Sequence, residues 1–235
     1  MTSTTHGDGL LVVHTEKIQP AIQNHNTQNN PQELIPRLRH ITLPRILSAL
    51  DTNLITSADL VKAYTLRIQQ INHEYNAILQ LSPDAVSVAH ALDAERHPRG
   101  RRGLLHGIPI LLKDNMPTLD GTDTCAGSLA LVGARPRVEA AVVTALRSAG
   151  AVVLGKTNMA EWSGFRSTSG CSGWSGIGGQ TRGVYYPGQK CSGSSSGSAV
   201  AVALGLAVAA LGTEVCVILA REKCGRKRTG EVCGR

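Results

Sequence analysis

The chain reads as an α/β protein with a mixed sheet core flanked by helices, and three stretches carry that expectation. Residues 108–112 (IPILL) form an unbroken apolar run bounded by Gly107 and the charged pair Lys113-Asp114, as a strand buried on both faces requires. Residues 151–154 (AVVL) form a second such run, ending in Gly155-Lys156-Thr157-Asn158. Between them, residues 138–148 have the spacing of an amphipathic helix closed by Gly150. The order strand, helix, strand with apolar strands favours a parallel or mixed sheet covered on both sides.

Taken from the start, the first 33 residues are rich in Thr, Asn, Gln and His. They hold too little apolar surface to offset the entropy of ordering, so a disordered leader is expected over 1–33. Their apolar run at 10–13 is only four residues long, too short for a signal-peptide core. Thr42, with Pro44 in the first turn, opens a short helix over 45–50. Thr56-Ser57-Ala58-Asp59 is a capping box ahead of the helically spaced Leu60, Val61, Tyr64, Ile68 and Ile71. After a brief apolar run at 77–81, Ser82-Pro83 starts a helix from Asp84 to about Arg96, and the polar residues 97–102 form a loop. Residues 126–135 are loop-like. Residues 163–197 hold many Gly and Ser and little regular pattern, the mark of a loop that is functional or disordered.

The chain is organised around residues 187–198 (PGQKCSGSSSGS), which run straight into the apolar AVAVALGLAVAAL at 199–211. A Ser and Gly run alone is linker-like. Followed by a segment without a polar side chain, it marks the entrance of a buried helix. There, unpartnered backbone N–H groups converge, Ser supplies caps, and Gly allows a positive φ. Such a turn suits a nucleophile relay or an anion site, or is simply a satisfied N-cap. Lys113 also has two readings: it leaves the core and snorkels into water, or it is a desolvated amine able to act as a base.

Lys113 in GIPILLKDNM, Gly155-Lys156-Thr157-Asn158, and Gly193-Ser194-Ser195-Ser196-Gly197-Ser198-Ala199 followed by Leu211-Gly212-Thr213-Glu214 resemble the amidase signature family, over residues 34–214. That family includes fatty-acid amide hydrolases, peptide amidases and the glutaminase subunit of tRNA-dependent amidotransferases. The resemblance implies hydrolysis or transfer of amide C–N bonds by a Ser-Ser-Lys triad. A neutral lysine takes a proton through a bridging serine, held by a cis peptide bond, and so activates a nucleophilic serine; backbone N–H groups before the nucleophile stabilise the oxyanion. By that likeness Lys113 is the base and Ser194 the bridge, while Gly193 and Ser195 belong to the substrate-binding turn. A small amide is the implied substrate, with no cofactor and no metal.

The departure is sharp. In the family, the Gly-Thr-acid element continues as Thr, any residue, Gly, Ser and an aliphatic residue, and that Ser is the nucleophile. Here it continues as Val215-Cys216-Val217-Ile218-Leu219. Ile218 occupies the nucleophile position, and an alkyl side chain cannot attack a carbonyl. Cys216 lies two positions too early to replace it. The expectation is a truncated amidase domain over 34–214, inactive as written, with residues 215–235 a divergent basic tail, as a retained intron or a misplaced gene boundary would produce. The alternative is a membrane-anchored or non-catalytic binding protein. Residues 199–220 make 22 residues, long enough to cross a bilayer, although Glu214 would then lie in the apolar layer.

Charge and cysteine usage bound the partners. Of the net charge of +7, residues 221–235 hold six Lys or Arg and two acids, hence +4, leaving +3 for the rest. With one Phe, two Trp and four Tyr there is no basic and aromatic interleaving, which argues against nucleic acid. The six cysteines have no CxxC spacing, and Cys224 and Cys233 lack companion metal ligands. Free thiols in the cytoplasm are expected.

Overall fold

The computed structural model describes residues 33–34, 38, 41–168 and 171–214. The expected leader, apart from Glu33, and the expected tail lie outside them. The elements in chain order are α1 (Leu43–Asp51), α2 (Ser57–Tyr75), β1 (Ile78–Leu81), α3 (Ala85–Arg99), β2 (Pro109–Lys113), α4 (Ala141–Ser148), β3 (Val152–Thr157), β4 (Trp174–Ser175), β5 (Gly179–Gln180), α5 (Ser196–Ala203) and β6 (Ala209–Leu211). Four strands make one sheet in the order β1-β3-β2-β6. β2 runs parallel to β3 and β6, while β1 is antiparallel to β3. The result is the mixed sheet with flanking helices that the apolar runs predict.

Every residue of β2 and β3 is buried, so these two strands are the floor on which the rest is laid. α2 begins at the capping box: Thr56 Oγ1 accepts from Asp59 N, and the Asp59 carboxylate accepts from Thr56 N, both at 3.0 Å. Asp93 of α3 accepts from the next two N–H groups, Ser57 and Ala58, at 2.8 and 3.1 Å. Two orphan donors of one helix are thereby satisfied by the other, which locks the pair together. Leu60, Val61, Tyr64 and Ile68 are buried along the predicted stripe.

Three boundaries differ from the sequence reading. α3 continues to Arg99 with Pro98 inside it, taking in part of the expected 97–102 loop. Arg96 anchors this last turn, its guanidinium donating to Asp51 Oδ1 and His106 O at 2.6 Å each. α4 begins at Ala141 rather than Val138, because the preceding chain is held extended: Ala140 N donates to Pro117 O at 3.0 Å and Glu139 accepts from Leu119 N at 3.3 Å. Within 163–197 the chain forms the β4–β5 hairpin and a bridge between Arg182 and Lys190.

The larger correction concerns residues 199–211, which do not form one buried helix. α5 stops at Ala203, the chain reverses at Leu204 and at Gly205 (φ 65°), and β6 pairs with the free edge of β2. The chain therefore ends the helix and completes the sheet, with Ala209, Ala210 and Leu211 opposite Ile110, Leu111 and Leu112. Among the described residues no helix is long and apolar enough to cross a membrane, so the proposed anchor over 199–220 is not supported; residues 215–220 lie outside those described.

α5 meets the sheet through Gly197, whose N–H donates to Asn158 O at 2.9 Å. A Cβ there would stand 2.3 Å from Ala77 O and 2.5 Å from Asn158 N and O. Gly197→Ala is expected to lower the unfolding free energy by about 1–3 kcal/mol, read as a lower urea midpoint with an unchanged slope.

Candidate active site

Lys113 is the last residue of β2 and has no exposed surface. The alternative that it snorkels into water is therefore overturned. Its Nζ lies 2.6 Å from Ser194 Oγ, 2.8 Å from Thr213 Oγ1 and 3.2 Å from Thr213 O. All three neighbours are acceptors for the amine: Lys113 Nζ donates to Ser194 Oγ and to the hydroxyl and carbonyl oxygens of Thr213. Burial pushes the amine down from its ordinary value to about 8, while the Glu214 carboxylate pulls it back up.

Each serine of the run does something different. Ser194 faces Lys113, and its own carbonyl accepts from Ala160 N at 3.2 Å. Ser195 sits at the N-cap position of α5, yet its side chain does not cap the helix. Instead its hydroxyl donates to Thr213 O at 3.1 Å and accepts from Thr213 N at 3.2 Å, holding the residue that brackets Lys113. Ser198 Oγ donates to Leu211 O at 2.8 Å and pairs with Thr157 Oγ1 at 2.7 Å. Gly193 N donates to Ser172 Oγ at 2.9 Å. The hydrogen bonds of Gly193 and Ser195 thus stay within the protein, shaping the turn.

The cis bond that the resemblance implies before the bridging serine is absent: all peptide bonds among the described residues are trans. Gly193 in this turn has φ 87°, a backbone state that glycine adopts readily.

Two residues escaped the sequence reading. Thr213 was legible only as part of a motif, and nothing local reveals that both its carbonyl and its hydroxyl reach Lys113. Asn115 Nδ2 donates to Thr213 Oγ1 at 3.0 Å; its place two residues after Lys113 was the one available signal. Ile218 and Cys216, which bear on the nucleophile, lie outside the described residues.

An open cleft of about 540 Å³ is walled by Trp162, Trp174, Glu161 and Arg166, and neither Lys113 nor Ser194 lines it. It is joined to the turn through the Ala160–Ser194 and Ser172–Gly193 hydrogen bonds. Trp162 and Ser163 both have left-handed backbones, φ 51° and 57°, a strained state for a bulky residue that concentrates at working sites. Among the described residues no cluster of His, Cys, Asp or Glu is placed to hold a metal ion.

Comparison with known proteins shows the family. The sequence profile of the family described as Amidase matches residues 59–216. The chain is 40% identical over 201 residues to a putative amidase of Arthroderma benhamiae, covering 77% of this chain and 34% of the relative. It is 43% identical over 177 residues to a putative amidase of Schizosaccharomyces pombe, covering 75% and 30%. The native peptide amidase of Stenotrophomonas maltophilia superposes with a TM-score of 0.70 at 45% identity, over 73% of this chain and 35% of that one. An amidase family protein of Bacillus anthracis gives 0.76 at 34% identity, over 82% and 39%. The chain spans about a third of the length of the curated relatives it matches.

In a chain carrying isotope-labelled lysine, the Lys113 resonance is expected to titrate with an inflection near 8, well below the ordinary lysine value of about 10.4. Glu214→Gln removes a charge that favours the ammonium form, so the inflection should move lower still; an upward move would contradict the assignment of forces.

Proposed function

The chain belongs to the amidase family, and from that premise we propose that residues 34–214 carry the base and the bridging hydroxyl of a Ser-Ser-Lys amide hydrolase acting on small amides. One observation carries the reading: a lysine amine with no exposed surface lies 2.6 Å from a serine hydroxyl at the mouth of a helix. Relatives named as amidases support the substrate class.

In the proposed chemistry, neutral Lys113 accepts the Ser194 proton while the Ser194 oxygen takes a proton from an attacking serine hydroxyl. The attacking oxygen forms a bond to the amide carbonyl carbon. Breakdown of the tetrahedral species then returns the proton, from the Lys113 ammonium through Ser194, to the departing amine. Thr213 holds two Lys113 hydrogens throughout, so the amine's lone pair stays aimed at Ser194. A cytoplasmic location, without nucleic-acid partners, belongs to the same reading and rests on the thiol pattern and sparse aromatics of the sequence.

As written, the chain has Ile218 where the attacking serine belongs, so relay and base are present without a nucleophile. The purified chain is expected to leave small primary and aryl amides intact and to resist a fluorophosphonate probe. Combining Val215→Thr, Val217→Gly and Ile218→Ser writes the family pattern into the chain and should produce labelling. Adding Lys113→Met should then slow the labelling about 10²–10³-fold, the usual worth of a positioned base. Labelling indifferent to Lys113 would overturn the relay; hydrolysis by the unaltered chain that is lost in Lys113→Ala would overturn the inactivity.

A further inference from the structure

Lys156 is a second lysine with no exposed surface, and the chemistry above gives it no part. It lies on β3 opposite Leu112, the residue before Lys113. Its Nζ donates to Met116 O at 2.6 Å and to Thr124 Oγ1 at 2.9 Å. Both partners belong to the loop that leaves β2. Asp114, at the start of the same loop and also buried, takes the opposite part: its carboxylate accepts from Gly127 N at 2.8 Å and from the backbone N–H of Cys125. Residues 114–127 are thus closed by an amine and a carboxylate shielded from water. Burial lowers the affinity of Lys156 for its proton, with Asp114, Asp120, Cys125 and Asp123 acting in opposition.

The loop matters because of what its first turn carries. Met116 N donates to Lys113 O at 3.0 Å, so Lys113 through Met116 form one turn. Asn115 is inside it and holds Thr213 Oγ1, the same oxygen that accepts from Lys113. Asn115 Oδ1 is buried without a partner. One amide atom is bonded and the other unpaired, so a single hydrogen bond holds the side chain. Its position follows from the backbone of the turn, and Lys156 grips that backbone at the Met116 carbonyl.

We propose that Lys156 is a positioning residue for Lys113: by holding the Met116 carbonyl it fixes the turn that sets Asn115 and Thr213 around the Lys113 amine. The inference rests on reading Lys113 as the base. It predicts that loosening the turn admits water to the Lys113 amine and so relieves the penalty on its ammonium form.

The test follows the Lys113 resonance by NMR through pH titration in labelled chain, assigned with Lys113→Arg. Lys156→Met is expected to raise the inflection by roughly one unit. Thr124→Val, which keeps the Lys156 charge but removes one of its acceptors, should raise it by less in the same direction. A shift in Lys156→Met without one in Thr124→Val would be a through-space charge effect and would overturn the positioning role. No shift in a Lys156→Met chain that still unfolds cooperatively in urea would overturn it too, while leaving Lys113 as base intact. An unaltered chain in which Lys113 titrates at the ordinary lysine value would remove the base reading, and this inference with it. Should Lys156→Met fail to fold, Thr124→Val alone decides: an upward shift supports the proposal and an unmoved inflection overturns it.

Discussion

A lysine amine kept from water at the end of the central strand constrains everything assembled around it. Removing an ammonium or an amine from solvent is unfavourable unless its hydrogens and lone pair find partners. Lys113 draws those partners from two places far along the chain, Ser194 before α5 and Thr213 after β6. The chain can deliver both only if α5 stands over the sheet and β6 returns beside β2. The burial of one side chain is therefore coupled to the topology of the second half of the described residues.

The coupling is reinforced by short hydroxyl contacts alongside the apolar packing of Val200, Ala201, Leu206 and Ala207. Ser195 ties residue 213 in both hydrogen-bonding directions, and Ser198 joins Leu211 on β6 to Thr157 on β3. Glycine is needed where backbones touch: at Gly197 against Asn158, and at Gly212, where a Cβ would stand 2.8 Å from Ser195 Oγ. A run that looks linker-like by composition is in fact a set of individually assigned joints. Flexibility of Ser and Gly in the unfolded chain does not carry over, because the hydroxyls of Ser194, Ser195, Ser196 and Ser198 have fixed partners once the sheet forms.

Legibility in the sequence followed how local each determinant was. The Thr56–Asp59 capping box, the stripe from Leu60 to Ile68 and the two apolar strands depend on neighbours within one or two turns, and they form as patterned. The start of α4 and the end of α3 were misplaced because Pro117, Leu119, Asp51 and His106, distant in sequence, hold those ends. The apolar segment at 199–211 misled for a related reason. Its hydrophobicity marks neither burial nor element type: only Val200, Ala201, Leu206 and Ala207 of the run are buried, and the open edge of β2 makes its last residues a strand. In the site, motif order pointed to Lys113 and Ser194, while Thr213 and Asn115 entered only through contacts across about a hundred residues.

The sequence by itself determined the chemical inventory: an amine at the close of an apolar strand and hydroxyls at a helix entrance. These are properties of residue type and order, which spacing preserves. Tertiary structure alone decided that the amine would be enclosed, that Ser194 would face it while Ser195 turns to the Thr213 backbone and Ser196 to the Thr181 hydroxyl, and that a second lysine would bond the Met116 carbonyl. Those outcomes depend on which distant groups fill the space around each side chain, and no local pattern records that until the sheet has brought them together.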